Sequence, residues 1–211
     1  PYQKMRQVAN VAADEVFKAY QGIKHDDSAQ LGVRQREIQL QVRKPSPEQI
    51  ARAREILARP ADAKPAHVRE VEYARRTLSL SEWPSHVPVV LQALRVGEVG
   101  IAAIPFEVFT ETGLELKQKS PLKPAFTIEL ANGWYGYLPT PEQHELGGYE
   151  TWLGTNRVEV QASRKIVAAL LELGKLGVKG SAAAAWLRAV ARVHAQAPKP
   201  DLVWSGPEVP G

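Results

Sequence analysis

HVPVVLQALRVGEVGIAAI, residues 86–104, decides the fold. The aliphatic and β-branched runs Val87 to Val96 and Val99 to Ile104 flank the pair Gly97 and Glu98, which predicts two antiparallel strands joined by a two-residue turn. Glycine at the first turn position suits type II′ geometry. On the C-terminal side, the pattern predicts a short helix over 109–119, a strand with Phe126, Ile128 and Leu130 on one face, and a glycine-rich loop. A helix over 157–173 follows, with Val160, Val167, Leu170 and Leu171 expected to face inward. On the N-terminal side, Ile38, Leu40 and Val42 alternate with Glu37, Gln39 and Gln41, the mark of a half-exposed strand. Leu31 and Val33 are out of phase with that set, so a bulge or break is expected between them. Strands interleaved with helices give the class: α/β, a mixed sheet with flanking helices.

Met5, Val8, Ala12 and Val16 recur at helical spacing and predict a helix over 2–21, ended by Gly22. Ser46, Pro47, Glu48 and Gln49 form a helix start, with serine as the cap, proline in the first turn and Gln49 closing a capping box. That helix is expected to run to Ala58, followed by a linker over 59–65 and a second helix carrying Val68, Val71, Arg75 and Leu78, closed by Trp83 and Pro84. Residues 46–83 thus read as a helical insertion packed on the sheet. The alanine-rich stretch 181–196 predicts another helix, and four prolines in the last fifteen residues predict a poorly ordered tail. No internal repeat is visible.

The 211 residues are 44% hydrophobic and 24% charged, which excludes a wholly disordered chain. No apolar run approaches the roughly 20 residues of a transmembrane helix. With no cysteine, disulfides, thiolate catalysis and sulfur-ligated zinc are excluded. The 27 basic and 23 acidic residues are interleaved, so no nucleic-acid partner is expected from charge. The chain opens on Pro1 without an export signal, which reads as more sequence lying upstream.

Chemistry concentrates between Ile101 and Arg157. Glu107 follows a strand end, and thirty residues later a second strand runs into Asn132, Gly133, Trp134, Tyr135, Gly136 and Tyr137. Polar side chains at strand ends are where α/β proteins commonly build sites. The plainer reading stands beside it: Glu107 favours the start of the next helix through the macrodipole, and the tyrosines are core aromatics with a wet hydroxyl.

The run Ala131 to Glu142 (ANGWYGYLPTPE), with Gly147, Gly148, Tyr149 and Glu150 after it, resembles the neutral, non-lysosomal ceramidase family and its ceramidase-like bacterial relatives. Ile104 to Phe109 looks like that family's Pro-Gly-Glu segment at the expected distance. The resemblance is specific over about residues 90–172, weaker over 1–85, and absent beyond Gly174. It implies that residues 1–176 are the C-terminal half of a ceramidase-like catalytic domain, with 177–211 a helical extension and proline-rich tail.

The resemblance implies one zinc ion held by two histidines, a glutamate and a tyrosine, with zinc-bound water attacking the amide carbonyl of a ceramide-like N-acyl lipid. Matched residue by residue, the metal ligands on this chain are Glu107 and Tyr137, and Tyr149 is the catalytic tyrosine that hydrogen-bonds the substrate carbonyl. The glycines at 133, 136, 147 and 148 would let backbone approach the metal. Phe106 departs from the family glycine before the glutamate and is expected to narrow the site or re-aim Glu107. The two histidine ligands are expected from the missing N-terminal half of the same protein, since His25, His67, His86, His144 and His194 are scattered singly. Family habit implies a secreted or periplasmic protein of sphingolipid metabolism. The alternative is a catalytically silent structural or interaction module that keeps the fold without the metal half.

Overall fold

The structure of the chain, a computed structural model, describes residues 2–25, 28–60 and 62–175. The chain divides into two units, one ending at Gln30 and one beginning at Leu31. The first holds helix α1, Gln3–Gly22, which buries none of its residues. Gly22 is its last helical residue, and the extended Ile23 ends it. The expected helix over 181–196 and the tail lie outside the described residues.

In the second unit, strands β1 (Leu31–Gln41), β2 (His86–Val96), β3 (Val99–Ala103) and β5 (Ala125–Ile128) form one sheet in the order β1-β2-β3-β5. The first two pairings are antiparallel and β3 with β5 is parallel, so the sheet is mixed. Val96 pairs with Val99 around the Gly97–Glu98 turn. Gly97 takes a positive φ of 59° and Glu98 does not, as a type II′ turn requires. Helices α4 (Thr110–Lys119) and α6 (Ala162–Lys175) cover one face of this sheet. The core between them is Leu40, Val89, Leu91, Ile104, Ile166 and Leu170. Each such side chain contributes about 1.5–3 kcal/mol of burial free energy.

The expected break in β1 is absent: the ladder is continuous from Leu31 opposite Val96 to Gln41 opposite His86. What changes is the face that carries apolar side chains. Even-numbered residues face α6 throughout, and Arg36 reaches Glu172 of that helix at 2.6 Å. Leu31 and Val33 lie on the other face opposite Val96 and Leu94, so their apolarity needs no slip in register. Phe126, Ile128 and Leu130 also lie away from the helices and are 46, 45 and 50% exposed. The core-side position in β5 is the buried Ala125.

Between β1 and β2, helices α2 (Pro47–Ala58) and α3 (Glu70–Glu82) pack together. The capping box is present, with the Gln49 N–H donating to Ser46 Oγ at 3.2 Å and the Ser46 N–H to Gln49 Oε1 at 2.9 Å. The inward face of α3 differs from the expected one. Ala74 and Leu80 are buried, whereas Val71 is 40% exposed and Val68 precedes the helix, 87% exposed. Polar residues share that inward face: Glu70, only 10% exposed, takes an ion pair from Arg59 at 3.2 Å.

Helix α6 starts five residues later than expected because Arg157 to Glu159 is used as extended chain. Val158 bridges Val42, the Arg43 N–H donates to the Arg157 carbonyl, and the Glu159 N–H donates to the Gln41 carbonyl. Val160 is therefore outside the helix and 40% exposed, and Ile166, Val167, Leu170 and Leu173 form the buried stripe. Among the described residues no helix is long and apolar enough to cross a membrane.

Candidate functional site

The site grows from a second, two-stranded sheet. Strand β4, Glu107–Val108, pairs in parallel with β6, Tyr137–Leu138, so that Glu107 and Tyr137 are direct partners across the ladder. Three hydrogen bonds fold the intervening loop back onto the strand: Leu130 N–H to the Phe106 carbonyl, Ala131 N–H to Ile104, and Tyr135 N–H to Pro105. Residues thirty apart in sequence are thereby brought side by side.

Phe106 does not crowd this pair. Side chains alternate across a strand, and Phe106 points into the core, fully buried, with its ring 5.6 Å from that of Tyr135. The Tyr135 hydroxyl donates to the Pro88 carbonyl at 2.9 Å. Tyr135 thus behaves as a core aromatic with a wet end, whereas Tyr137 is turned toward Glu107. Glu107 itself lies ahead of α4, whose first turn carries Glu111 instead, so the macrodipole is not what its carboxylate serves.

Two groups meet the Glu107 carboxylate. The Trp134 indole N–H donates to Oε1 at 3.0 Å. The Tyr137 hydroxyl hydrogen-bonds to the same carboxylate, which, with burial and the negative charge of Glu107, pushes its pKa up to about 12. Tyr137 is therefore a neutral donor at pH 7.

Tyr149 opens a 3₁₀ turn, Tyr149–Thr151, after α5 (Pro141–Leu146). Its ring meets that of Tyr137 edge-on, with centroids 6.0 Å apart. Trp152 continues the row, 5.7 Å from Tyr149 and 5.4 Å from Tyr73. The structure thus gathers Glu107, Tyr137 and Tyr149, all three residues singled out in the sequence. It adds Tyr73 of α3, whose hydroxyl lies 2.6 Å from Thr155 Oγ1. Burial pushes the Tyr73 pKa up, and the neighbouring Tyr149 adds to that rise. Tyr149 and Trp152 are 36 and 44% exposed, leaving an aromatic shelf open to a ligand.

A buried amide fixes the shelf from below. Asn156, 1% exposed, donates through Nδ2 to the Tyr137 carbonyl at 3.0 Å, and its Oδ1 accepts from Arg43 at 2.8 Å. Arg43 also donates to the Thr151 carbonyl at 2.8 Å, and its burial lowers its pKa. Gly136 (φ +90°) lies so close to the Thr155 carbonyl that a Cβ would come within 2.1 Å of that oxygen. The close approach this glycine permits is to protein backbone, not the approach to a metal expected from its sequence position. Gly147 has nothing within 4 Å of such a Cβ, so it serves only its left-handed turn.

The histidines are dispersed. His25, His67 and His86 are exposed, and His67 meets the edge of Trp152 at 6.3 Å. His144 is half-buried, its Nε2 has no hydrogen-bond partner, and burial followed by the Arg43 charge lowers its pKa. His194 lies outside the described residues. Among the described residues, no three His, Cys, Asp or Glu gather into a metal-binding group.

The sequence reading missed Tyr73, Arg43 and Asn156. Tyr73 had a usable signal, because Glu70, Tyr73, Ala74 and Thr77 fall on one helical face, but that face is partly polar. Asn156 and Arg43 had none: they are single polar residues whose partners lie about a hundred residues apart in sequence.

No family model matches the chain, and no curated protein matches it. Among solved structures, it is similar to a neutral ceramidase from Pseudomonas aeruginosa, at 12% identity and a TM-score of 0.44, over 69% of this chain and 28% of that one. A second similarity is to a ceramidase complexed with C2, at 18% identity and a TM-score of 0.38, over 46% of this chain and 16% of that one. The chain thus spans less than a third of the length of either protein. The α/β class, a mixed sheet with flanking helices, rests on the strands and helices of this chain itself.

Proposed function

We propose that this chain carries half of the active site of a zinc-dependent amidohydrolase of the ceramidase-like class, which cleaves the N-acyl amide of a lipid-like substrate. The observation that carries this reading is the pairing of Glu107 with Tyr137 across β4 and β6, with Tyr149 against the tyrosine ring. The donor set suits zinc, since a carboxylate and a phenol oxygen are acceptable ligands and the Trp134 N–H orients the carboxylate from behind, as outer partners of metal ligands do. Glu107 and Tyr137 would hold the ion together with two histidines from the rest of the protein. Zinc held there would supply Lewis-acid polarisation of the carbonyl and an activated water at neutral pH.

The chain's own residues have separate tasks. Glu107 brings the negative charge that a cation needs, and Tyr137 would offer its phenol oxygen as the second ligand from this chain. Tyr149 donates from its hydroxyl to the oxygen on which negative charge develops, a contact that strengthens as the carbonyl becomes tetrahedral. The exposed aromatic shelf of Tyr149 and Trp152 gives an acyl chain an apolar surface to lie on. The alternative is the catalytically silent module, which would keep the fold without the metal half.

Zinc analysis and amidase assays of the intact protein separate the two. Stoichiometric zinc, lost together with activity in Glu107→Ala and Tyr137→Phe, is expected. Tyr149→Phe should retain zinc and lose roughly 10²–10³-fold in rate. A loss below about tenfold in the Glu107 and Tyr137 variants removes them from the mechanism. Purification without metal supports the silent module.

A further inference from the structure

A cleft of about 280 Å³ is walled by Arg75, Arg76 and Ser79 of α3, Trp83, and Arg157. Three arginines line it. Arg76 has a carboxylate partner in Glu72, whereas neither Arg75 nor Arg157 has one among the described residues. Arg157 is held in an unusual way: its guanidinium carbon sits 4.2 Å from the centre of the Trp134 ring and 5.4 Å from that of Trp83. Among the described residues its side chain makes one hydrogen bond, from Nε to the Gly154 carbonyl at 3.4 Å.

Indole faces fix a guanidinium's plane and strip water from it while leaving its N–H edge free. A half-buried cation without a counter-ion, close to a second cation, is electrostatically unfavourable. Burial and then the charge of Arg76 both lower the Arg157 pKa. An anion in the cleft relieves both costs, and a planar fork of N–H groups matches the oxygens of a carboxylate or phosphate. Two contacts link the cleft to the candidate site: Trp134, which carries Arg157 on its face, holds Glu107 through its N–H edge.

We propose that Arg157, with Arg76 and Arg75, binds an anionic group of the substrate, so that the preferred substrate is an N-acyl lipid with a carboxylate or phosphate near the scissile amide. Its placement beside the reaction centre rests on the amidohydrolase reading above. Trp134 couples the two sites, and an anion drawn to Arg157 also orients the amide toward Glu107 and Tyr149.

Equilibrium binding to the intact protein tests this without turnover. The probes are N-decanoylglycine, N-decanoyl phosphoethanolamine and the neutral N-decanoylethanolamine, compared at fixed ionic strength by calorimetry, with inorganic phosphate as a fourth. At least one acidic probe should bind about tenfold or more tighter than the neutral one, the equivalent of about 1.4 kcal/mol, and the preference should fall below about threefold in Arg157→Gln. Equal binding of all three decanoyl probes overturns the proposal, even if inorganic phosphate binds. So does a preference that survives in both Arg157→Gln and Arg76→Gln. Should Arg157→Gln lose its native circular dichroism, Arg75→Gln at the exposed rim is decisive, with a weakened preference expected and an unchanged one overturning the site. Acidic probes that bind preferentially but are never cleaved leave the anion site standing and remove the hydrolase reading; cleavage without preference does the reverse.

Discussion

From Leu31 to Val96 the β1–β2 ladder runs through eleven residue pairs without a break, whereas β4 and β6 share two, and the neighbouring Gly136 and Asn156 meet in an isolated bridge. The larger sheet is held by apolar burial against α4 and α6. The site-bearing segment, residues 129–160, reaches the same core through Leu138 and Val158, and its loops are held by single hydrogen bonds, a buried amide and a half-buried guanidinium. Hydrophobic burial is non-directional and tolerates small displacements, while hydrogen bonds fix direction and distance. The difference explains where precision lies. The sheet supplies stability, and polar clamps set the positions of Glu107, Tyr137 and Tyr149.

The hardest test of that contrast is Ile166→Ala. Ile166 is fully buried in α6, so truncation should cost about 2–5 kcal/mol in urea-induced unfolding. The protein that remains folded should keep its site geometry. An equal proportional loss of activity per folded molecule would show that the sheet, and not the clamps, positions the site.

Asn156→Ala should cost less stability and more function. It takes the amide donor from the Tyr137 carbonyl and one of two acceptors from the Arg43 guanidinium, at about 1–3 kcal/mol. Because it frees the strand that carries Tyr137, zinc affinity or activity should fall by roughly 10–100-fold, as for partners behind metal ligands. Unchanged zinc affinity in a folded Asn156→Ala protein would break the comparison.

The smallest effect is expected at Glu159, where the two regions are joined. Its carboxylate accepts from the Gln41 N–H at 3.0 Å and from Lys165 at 2.6 Å. Burial works against its charge, yet these hydrogen bonds prevail and hold the carboxyl below the ordinary glutamate value of 4.5. A folded-state pKa below the unfolded one stabilises above the unfolded value, and that stability is lost as pH falls through the folded value. Glu159→Gln should therefore cost below about 1 kcal/mol at neutral pH, since Lys165 is half exposed, and the cost should vanish in acid below pH 4.5. Denaturant midpoints of both proteins across that range check the sign.

Legibility in the sequence followed the kind of force at work. The β2–β3 hairpin and the Ser46–Gln49 capping box depend on neighbours a few residues apart, and both formed as read, whereas the inward face of α3 did not. Leu31, Val33 and Val160 misled because apolar character alone does not say which face of a strand is covered, or whether a segment is spent as extended chain before a helix begins. For the candidate site, Glu107, Tyr137 and Tyr149 were reachable through a family resemblance, whereas Tyr73 had only a partly polar helical face to mark it and Asn156 and Arg157 carry no local pattern.

What the sequence determined by itself was therefore its periodicity, turn chemistry and caps, hence the α/β class with a mixed sheet and flanking helices. Tertiary structure alone decided that Phe106 turns inward while Glu107 meets Tyr137, that Asn156 holds that strand in place, and that Arg157 lies against the rings of two tryptophans. The physical reason is range. Backbone propensities and hydrophobic periods act between near neighbours, but a buried polar group takes whichever partner the finished fold sets within hydrogen-bond distance, at any separation along the chain.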